Sequence, residues 1–276
     1  MSFHQTIKWR TLKFDLRQGA RLQTDVEVAS EDLYDLYVNE RLYVTAVLTP
    51  SQLKEWSIGF LYSEGLINSI REVKRVSING DSIGVEITGT RSLESKTPKV
   101  GRFLLGSCAS TLMKERISYV KGVSRQLLSK DLTIPKELVK RISASLNEIS
   151  RTYRATGGTH SAAIFGREGE LLICSEDIGR HNAVDKVIGA SLMKEIGLND
   201  KILAVSGRIS GDLVFKCSRA RIPIVLSPSA PLSMGLRLAE MAGITLIGFA
   251  REDRFNVYTY PPVSYTHLTL PTKRIV

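Results

Sequence analysis

Between residues 160 and 250, short apolar runs alternate with segments of helical pattern, and few architectures accept that order. The runs are "SAAIF", "ELLIC", "KILAVS", "IPIVLS" and "ITLIGFA", and the helical segments between them begin near Ala183, Gly211 and Leu232. Such alternation predicts an α/β layer around a largely parallel or mixed sheet. The first ninety residues follow another rhythm. "DLYDLYV" and "RLYVTAVL" flank Asn39-Glu40 and predict a hairpin of aromatic and β-branched residues. "VSINGDSIGVEI" carries Asn79-Gly80, a strong short-range hairpin signal, and "WRTLKFDL" alternates only weakly. Between these strands, "TPSQLKEWSIGFLYSEG" predicts a helix capped by Thr49 or Ser51, with Leu53, Trp56, Phe60 and Leu61 on one face and Gly65 at its end.

The expected class is α/β (α+β overall), and the chain divides into a β-rich N-terminal domain (1–100), a cysteine-bearing loop and connector (101–134) and an α/β domain (135–262). The α/β domain opens with "IPKELVKRISASLNEI", an amphipathic helix with Pro135 near its start and Leu138, Ile142, Leu146 and Ile149 on one stripe. The last stretch, "VSYTHLTLPTKRIV" (263–276), breaks the style of what precedes it. It resembles the translated end of a transposase adapter used in sequencing libraries, and is set aside as a non-native tail.

A chain of 276 residues can bury a real core. No run approaches the ~20 apolar residues of a membrane span, and "MSFHQTIKWR" lacks a signal-peptide apolar region, so no membrane and a cytoplasmic address are expected. Three cysteines, Cys108, Cys174 and Cys217, argue against a disulfide framework and leave room for one reactive thiol. The net charge of +10, or +8 without Lys273 and Arg274, points to an anionic partner. Its basic residues are scattered, with no zinc-finger or RNP-like pattern, so nucleic acid is not expected.

The chemically capable residues gather at strand ends, where open α/β sheets bind ligands. Gly207 to Asp212 follow "KILAVS", Pro228 to Pro231 follow "IPIVLS", and Phe249 to Arg254 follow "ITLIG". Arg208, Arg251 and Arg254 in such turns suit phosphates. "EDIGRHNAVDKVIG" (176–189) adds Arg180 and His181 as ligand contacts, with Asn182 as a helix cap, Asp185 placed to orient the His181 ring and Lys186 at a solvated position. "TGGTHSAAIF" adds His160 at a strand start. There is no His-x-Glu with Cys-x-x-Cys, which argues against zinc hydrolysis. Cys174 in a strand and Cys217 in a helix are expected to be buried and inert. Cys108, in "GSCAS" with Lys99, Arg102, Lys114 and Arg116 nearby, suits a thiolate.

Together "SIGFLYSEGLI", "TGGTHSAA", "EDIGRHNAVDKVIG", "SGRIS" and "GITLIGFAREDRFNVYT" resemble the formate dehydrogenase accessory sulfurtransferase family, FdhD, from about residue 25 to 262. The resemblance implies a C-terminal domain of cytidine-deaminase-like α/β/α fold without zinc chemistry. It also implies a sulfur carrier that takes sulfur from a cysteine desulfurase as a persulfide and passes it to the molybdenum cofactor, Mo-bis(molybdopterin guanine dinucleotide). The sulfurated cofactor then enters formate dehydrogenase. The family's persulfide cysteine falls on Cys108. Many members carry Cys-x-x-Cys there, and this chain has a single thiol. The family's cofactor segment corresponds to Phe249, Ala250, Arg251, Glu252, Asp253 and Arg254, and a homodimer is expected by analogy. Two other readings stand beside it: a cofactor chaperone without sulfur chemistry, and a nucleotide-acting hydrolase using His160 and His181.

Overall fold

The computed structural model describes residues 5–88, 103–104, 110–122, 134–251 and 253–261. Cys108, Glu252 and the 263–276 tail lie outside the described residues.

Strands β1 (Thr6–Asp15) and β2 (Ala20–Ala29) pair antiparallel in full register, Thr6 with Ala29 and Asp15 with Ala20. This ribbon packs little against the rest, and Trp9, Phe14 and Leu22 are exposed, which explains the weak alternation of its sequence. Strands β3 (Asp32–Val38) and β4 (Arg41–Leu48) form the predicted hairpin, with both Asn39 and Glu40 at positive φ (46° and 66°), as a primed two-residue turn requires. Helix α1 (Leu53–Ser63) follows, and then the second predicted hairpin, β5 (Val73–Asn79) with β6 (Ser82–Ile87), whose turn contains Gly80 at φ 60°. With β7 (Phe103–Leu104) these strands make a five-stranded sheet ordered β5-β6-β3-β4-β7.

Leu53, Trp56, Phe60 and Leu61 of α1 are all buried as predicted, packed with Leu36, Val38, Val44, Leu48, Ile83 and Val85 of the sheet. The cap differs. Gln52, at φ 51°, precedes the helix with no side-chain cap bond. Thr49 is engaged with residues far along the chain, and Ser51 Oγ is buried without a partner. A stronger set of long-range bonds, described below, holds Thr49 away from the helix end.

The second half begins with helices α2 (Ser110–Gly122), α3 (Lys136–Ile149) and α4 (Arg151–Thr156). It continues β8 (His160–Phe165), β9 (Leu171–Asp177), α5 (Arg180–Met193), β10 (Ile202–Val205), α6 (Gly211–Ala220), β11 (Ile224–Leu226), α7 (Ser233–Ala242), β12 (Thr245–Arg251) and β13 (Arg254–Thr259). The sheet order is β13-β12-β11-β10-β8-β9, with β10, β11 and β12 mutually parallel and β8 antiparallel to both β9 and β10. Both faces are covered, which is why its strands are unbroken apolar runs. On one face Ala162, Ile164, Leu203, Val205, Val225 and Leu246 meet α5, α6 and α7. On the other, Ala163, Phe165, Ile202, Ala204, Ile224 and Leu226 meet Leu138, Val139, Ile142 and Leu146 of α3. The expected α/β class holds, in three layers. Among the described residues no helix is long and apolar enough to cross a membrane.

Helices α1 and α5 cross at Gly59 and Gly189, where each backbone fills the space that a Cβ on the other would need. Helix α1 therefore serves two layers, covering the five-stranded sheet on one side and α5 on the other.

Candidate functional site

Because β8 runs against its neighbours, its first residue lies at the same edge as the carboxyl ends of β9 and β10. His160 is in register with Asp177, and Ser206, just past β10, donates its N–H to Ser161 O at 2.9 Å. One edge thus collects His160, the turn from Asp177 into α5, the Ser206-Gly207-Arg208 turn and the Pro228-Ser229 turn.

The tightest grouping surrounds Gly207. A Cβ there would lie 3.0 Å from Arg180 Cδ and 3.4 Å from His160 Nδ1, so only glycine lets these side chains close over the turn. His160 Nδ1 is 3.2 Å from Ser206 Oγ, which also accepts from Ser161 N–H. His181 Nε2 is 2.9 Å from Ser210 Oγ. Ser210 caps α6, its Oγ accepting from Leu213 N–H, an arrangement that lets its O–H donate to His181. Burial, then the positive charges of Lys216, Arg180, Arg116 and His160, depress His181 to about 3, so its ring is neutral at pH 7. His160 is lowered by burial and by Arg180.

Arg180 is the unsatisfied member. Its Nε is buried without a hydrogen-bond partner, and burial and the neighbouring Arg208 lower its affinity for a proton. Among the described residues no carboxylate forms an ion pair with Arg180 or Arg208. Two guanidinium groups that form no ion pair, beside the His160 and His181 rings, a glycine turn and the start of a helix, form a receptor for an anion with several oxygens.

Phe249 and Arg251 join this edge, one through its backbone and one through its side chain. Phe249, at φ 52°, donates its N–H to Ser229 O at 3.1 Å, and Arg251 Nε donates to Pro228 O at 2.8 Å. Ser227 Oγ donates to Gly207 O at 2.8 Å, linking that turn to the arginine cluster. Phe249, Arg251 and Arg254 are exposed. Ala250 faces the α3 side of the core, and Asp253 pairs with Lys140. The structure therefore brings His160, Arg180, His181 and Arg208 together, with Phe249 and Arg251 on the adjoining turn.

Residues 29–263 match the FdhD/NarQ family. The chain belongs to that family. Among its FdhD/NarQ relatives, the sulfur carrier protein FdhD of Sulfolobus acidocaldarius is 36% identical over 248 residues, covering 89% of this chain and 94% of its own. That of Bacillus subtilis is 34% identical over 249 residues, covering 88% and 92%. The fold is also that of a Desulfotalea psychrophila protein, whose crystal structure is described as a formate dehydrogenase accessory protein. The TM-score is 0.75 at 28% identity, covering 95% of this chain and all of that one.

Several residues of this FdhD/NarQ chain do something other than expected. Asn182 does not cap α5, whose N-cap is Gly179; its amide donates to Val47 O and Asp177 Oδ1. Asp185 does not orient His181, because it is buried against Lys216, 2.8 Å away, and accepts from Ser63 Oγ. Lys186 is not solvated: it is fully buried, 2.7 Å from Asp177 Oδ2, and donates to Thr49 O and Glu176 O. Glu176 accepts from the first N–H groups of α4. Most of "EDIGRHNAVDKVIG" is thus consumed in holding Arg180 and His181 in place. Cys217 is buried and its thiol is pushed up by burial, but Cys174 is exposed, on an outer face of the edge strand β9. Ser206 and Ser210 were not singled out from the sequence, although both bracket "SGRIS"; their hydroxyls alone carry no signal that histidines lie opposite.

Proposed function

We propose that this protein is a sulfurtransferase of formate dehydrogenase maturation, carrying sulfur on Cys108 as a persulfide and delivering it to Mo-bis(molybdopterin guanine dinucleotide) bound at the Arg180 cluster. The observation that carries the reading is the Arg180 guanidinium, held with a buried, unpartnered Nε beside Arg208. The phosphates of a guanine dinucleotide would supply the missing charge. The names of the relatives, sulfur carriers and a formate dehydrogenase accessory protein, support the client and the cargo.

Loading is chemically simple. The Cys108 thiolate attacks the outer sulfur of the persulfide on a cysteine desulfurase, a new S–S bond forms at Cys108, and the desulfurase leaves as its thiolate, with no net oxidation. His160, Arg180, His181 and Arg208, with Phe249, Arg251 and Arg254 of the Phe249–Arg254 segment, form the cofactor-binding surface in this reading. A cytoplasmic protein acting as a homodimer fits it. The test is intact-mass spectrometry after incubation with a desulfurase and cysteine. A reductant-sensitive gain of one sulfur atom, absent in Cys108→Ala, is expected. An equal gain on the variant, or none on the wild type, leaves a chaperone that only holds the cofactor.

A further inference from the structure

Helix α2, which begins at Ser110, packs Ile117, Tyr119 and Val120 against the core and is also held by charge. Arg116 is mostly buried and forks between two carboxylates, Glu64 at 2.8 Å and Asp212, while its guanidinium lies 5.0 Å from the Phe215 ring centroid. Farther along α2, Tyr119 accepts from Arg219 at 3.1 Å.

Asp212 is the informative end of this fork. It stands in the first turn of α6, beside Ser210, the hydroxyl that holds His181. Its negative charge also reaches Arg180, where it opposes the effects of burial and of Arg208. A free carboxylate here would be the natural partner for Arg180 and would compete with any anion. It is not free, because Arg116 holds it.

Resting on the anion-site reading above, we infer that Arg116 is a positioning residue: by pairing with Asp212 it keeps Arg180 unpaired, so that the anion site is competent only while α2 is seated. Binding linkage is reciprocal, so an anion on Arg180 in turn favours the seated α2. The device couples occupancy of the anion site to the seating of α2, through one shared carboxylate.

The test is calorimetric titration of the full chain with GDP, the nucleotide half of a guanine dinucleotide, with pyrophosphate as a second probe. Arg116→Ala should weaken GDP by about tenfold, and adding Asp212→Asn to it should restore affinity to within about twofold of wild type. A role confined to holding α2 would not be rescued by Asp212→Asn. Should Arg116→Ala not fold, as judged by its thermal melt, Arg116→Gln keeps a longer polar side chain without the charge and carries the same comparison. The inference is overturned if the Arg116 variant binds as wild type, or if the double variant binds no better than the single. Failure of the wild type to bind GDP, or equal binding by Arg180→Ala, overturns the anion-site reading itself. Dependence on Arg180 but not on Arg116 overturns the inference alone.

Discussion

Gly59 and Gly189 meet backbone to backbone: a Cβ on Gly59 would sit 2.7 Å from the Gly189 nitrogen, and one on Gly189 would sit 2.8 Å from the Gly59 nitrogen. No side chain on either helix can be moved aside to make room, because the obstructing atoms are main chain. Gly59→Ala or Gly189→Ala should therefore destabilise the fold by about 1–3 kcal/mol or more. The double variant should cost less than the sum of the singles, since one displacement of α1 relieves both clashes. Urea denaturation of the three variants measures this, and strict additivity would contradict the shared contact.

The pair Lys186–Asp177 carries a second prediction. Both groups are fully buried, and Asp177 is further satisfied by the N–H groups of Thr49 and Gly179 and by Asn182. Lys186→Met fills much of the same volume but leaves a buried carboxylate short of its cation, at a cost of about 3–5 kcal/mol. Lys186→Met combined with Asp177→Asn should recover part of that loss. A single variant that unfolds at the wild-type urea concentration would show the pair to be energetically idle.

His181 gives the protein an acid-sensitive step. The ring takes a proton at about 3 in the folded protein against 6.5 in the unfolded chain. Between these values the unfolded state binds more protons, so the stability His181 contributes is complete above pH 6.5 and is lost as pH falls toward 3. The slope is at most about 1.4 kcal/mol per pH unit, and His160, also lowered, acts in the same direction. Unfolding free energies at pH 7 and pH 5 should differ less in His181→Asn than in the wild type. An unchanged difference would mean that the ring is already protonated in the fold.

What was legible in the sequence is what depends on near neighbours. The Asn39-Glu40 turn, the hairpin signalled by Asn79-Gly80, the stripe of α3 and the strand runs of the second sheet each depend on residues close in the chain. The start of α5 was placed late, at Ala183, because the apolar pattern starts there while the helix begins at Arg180. Lys186 was misplaced for a deeper reason. It lies among Val184, Val187 and Ile188 on a helix buried on nearly every side, and two of its partners, Asp177 and Thr49, sit on other elements. Likewise Arg180 and His160 stood out as chemically capable, but that Gly207 brings them together follows only from the antiparallel course of β8.

The crossing of α1 on α5 also sets a problem for synthesis. The chain completes α1 at Ser63 but does not complete its supporting helix until Met193. On a ribosome adding about 5–20 residues per second, several seconds pass in which the glycine face of α1, and the Thr49 amide that will meet Asp177, have no partner. Translation that stalls in that window leaves a finished N-terminal sheet with an open helix face, the kind of surface on which nascent chains aggregate. The contact that joins the two sheets in the folded protein therefore cannot form until about 130 residues after α1 have been made.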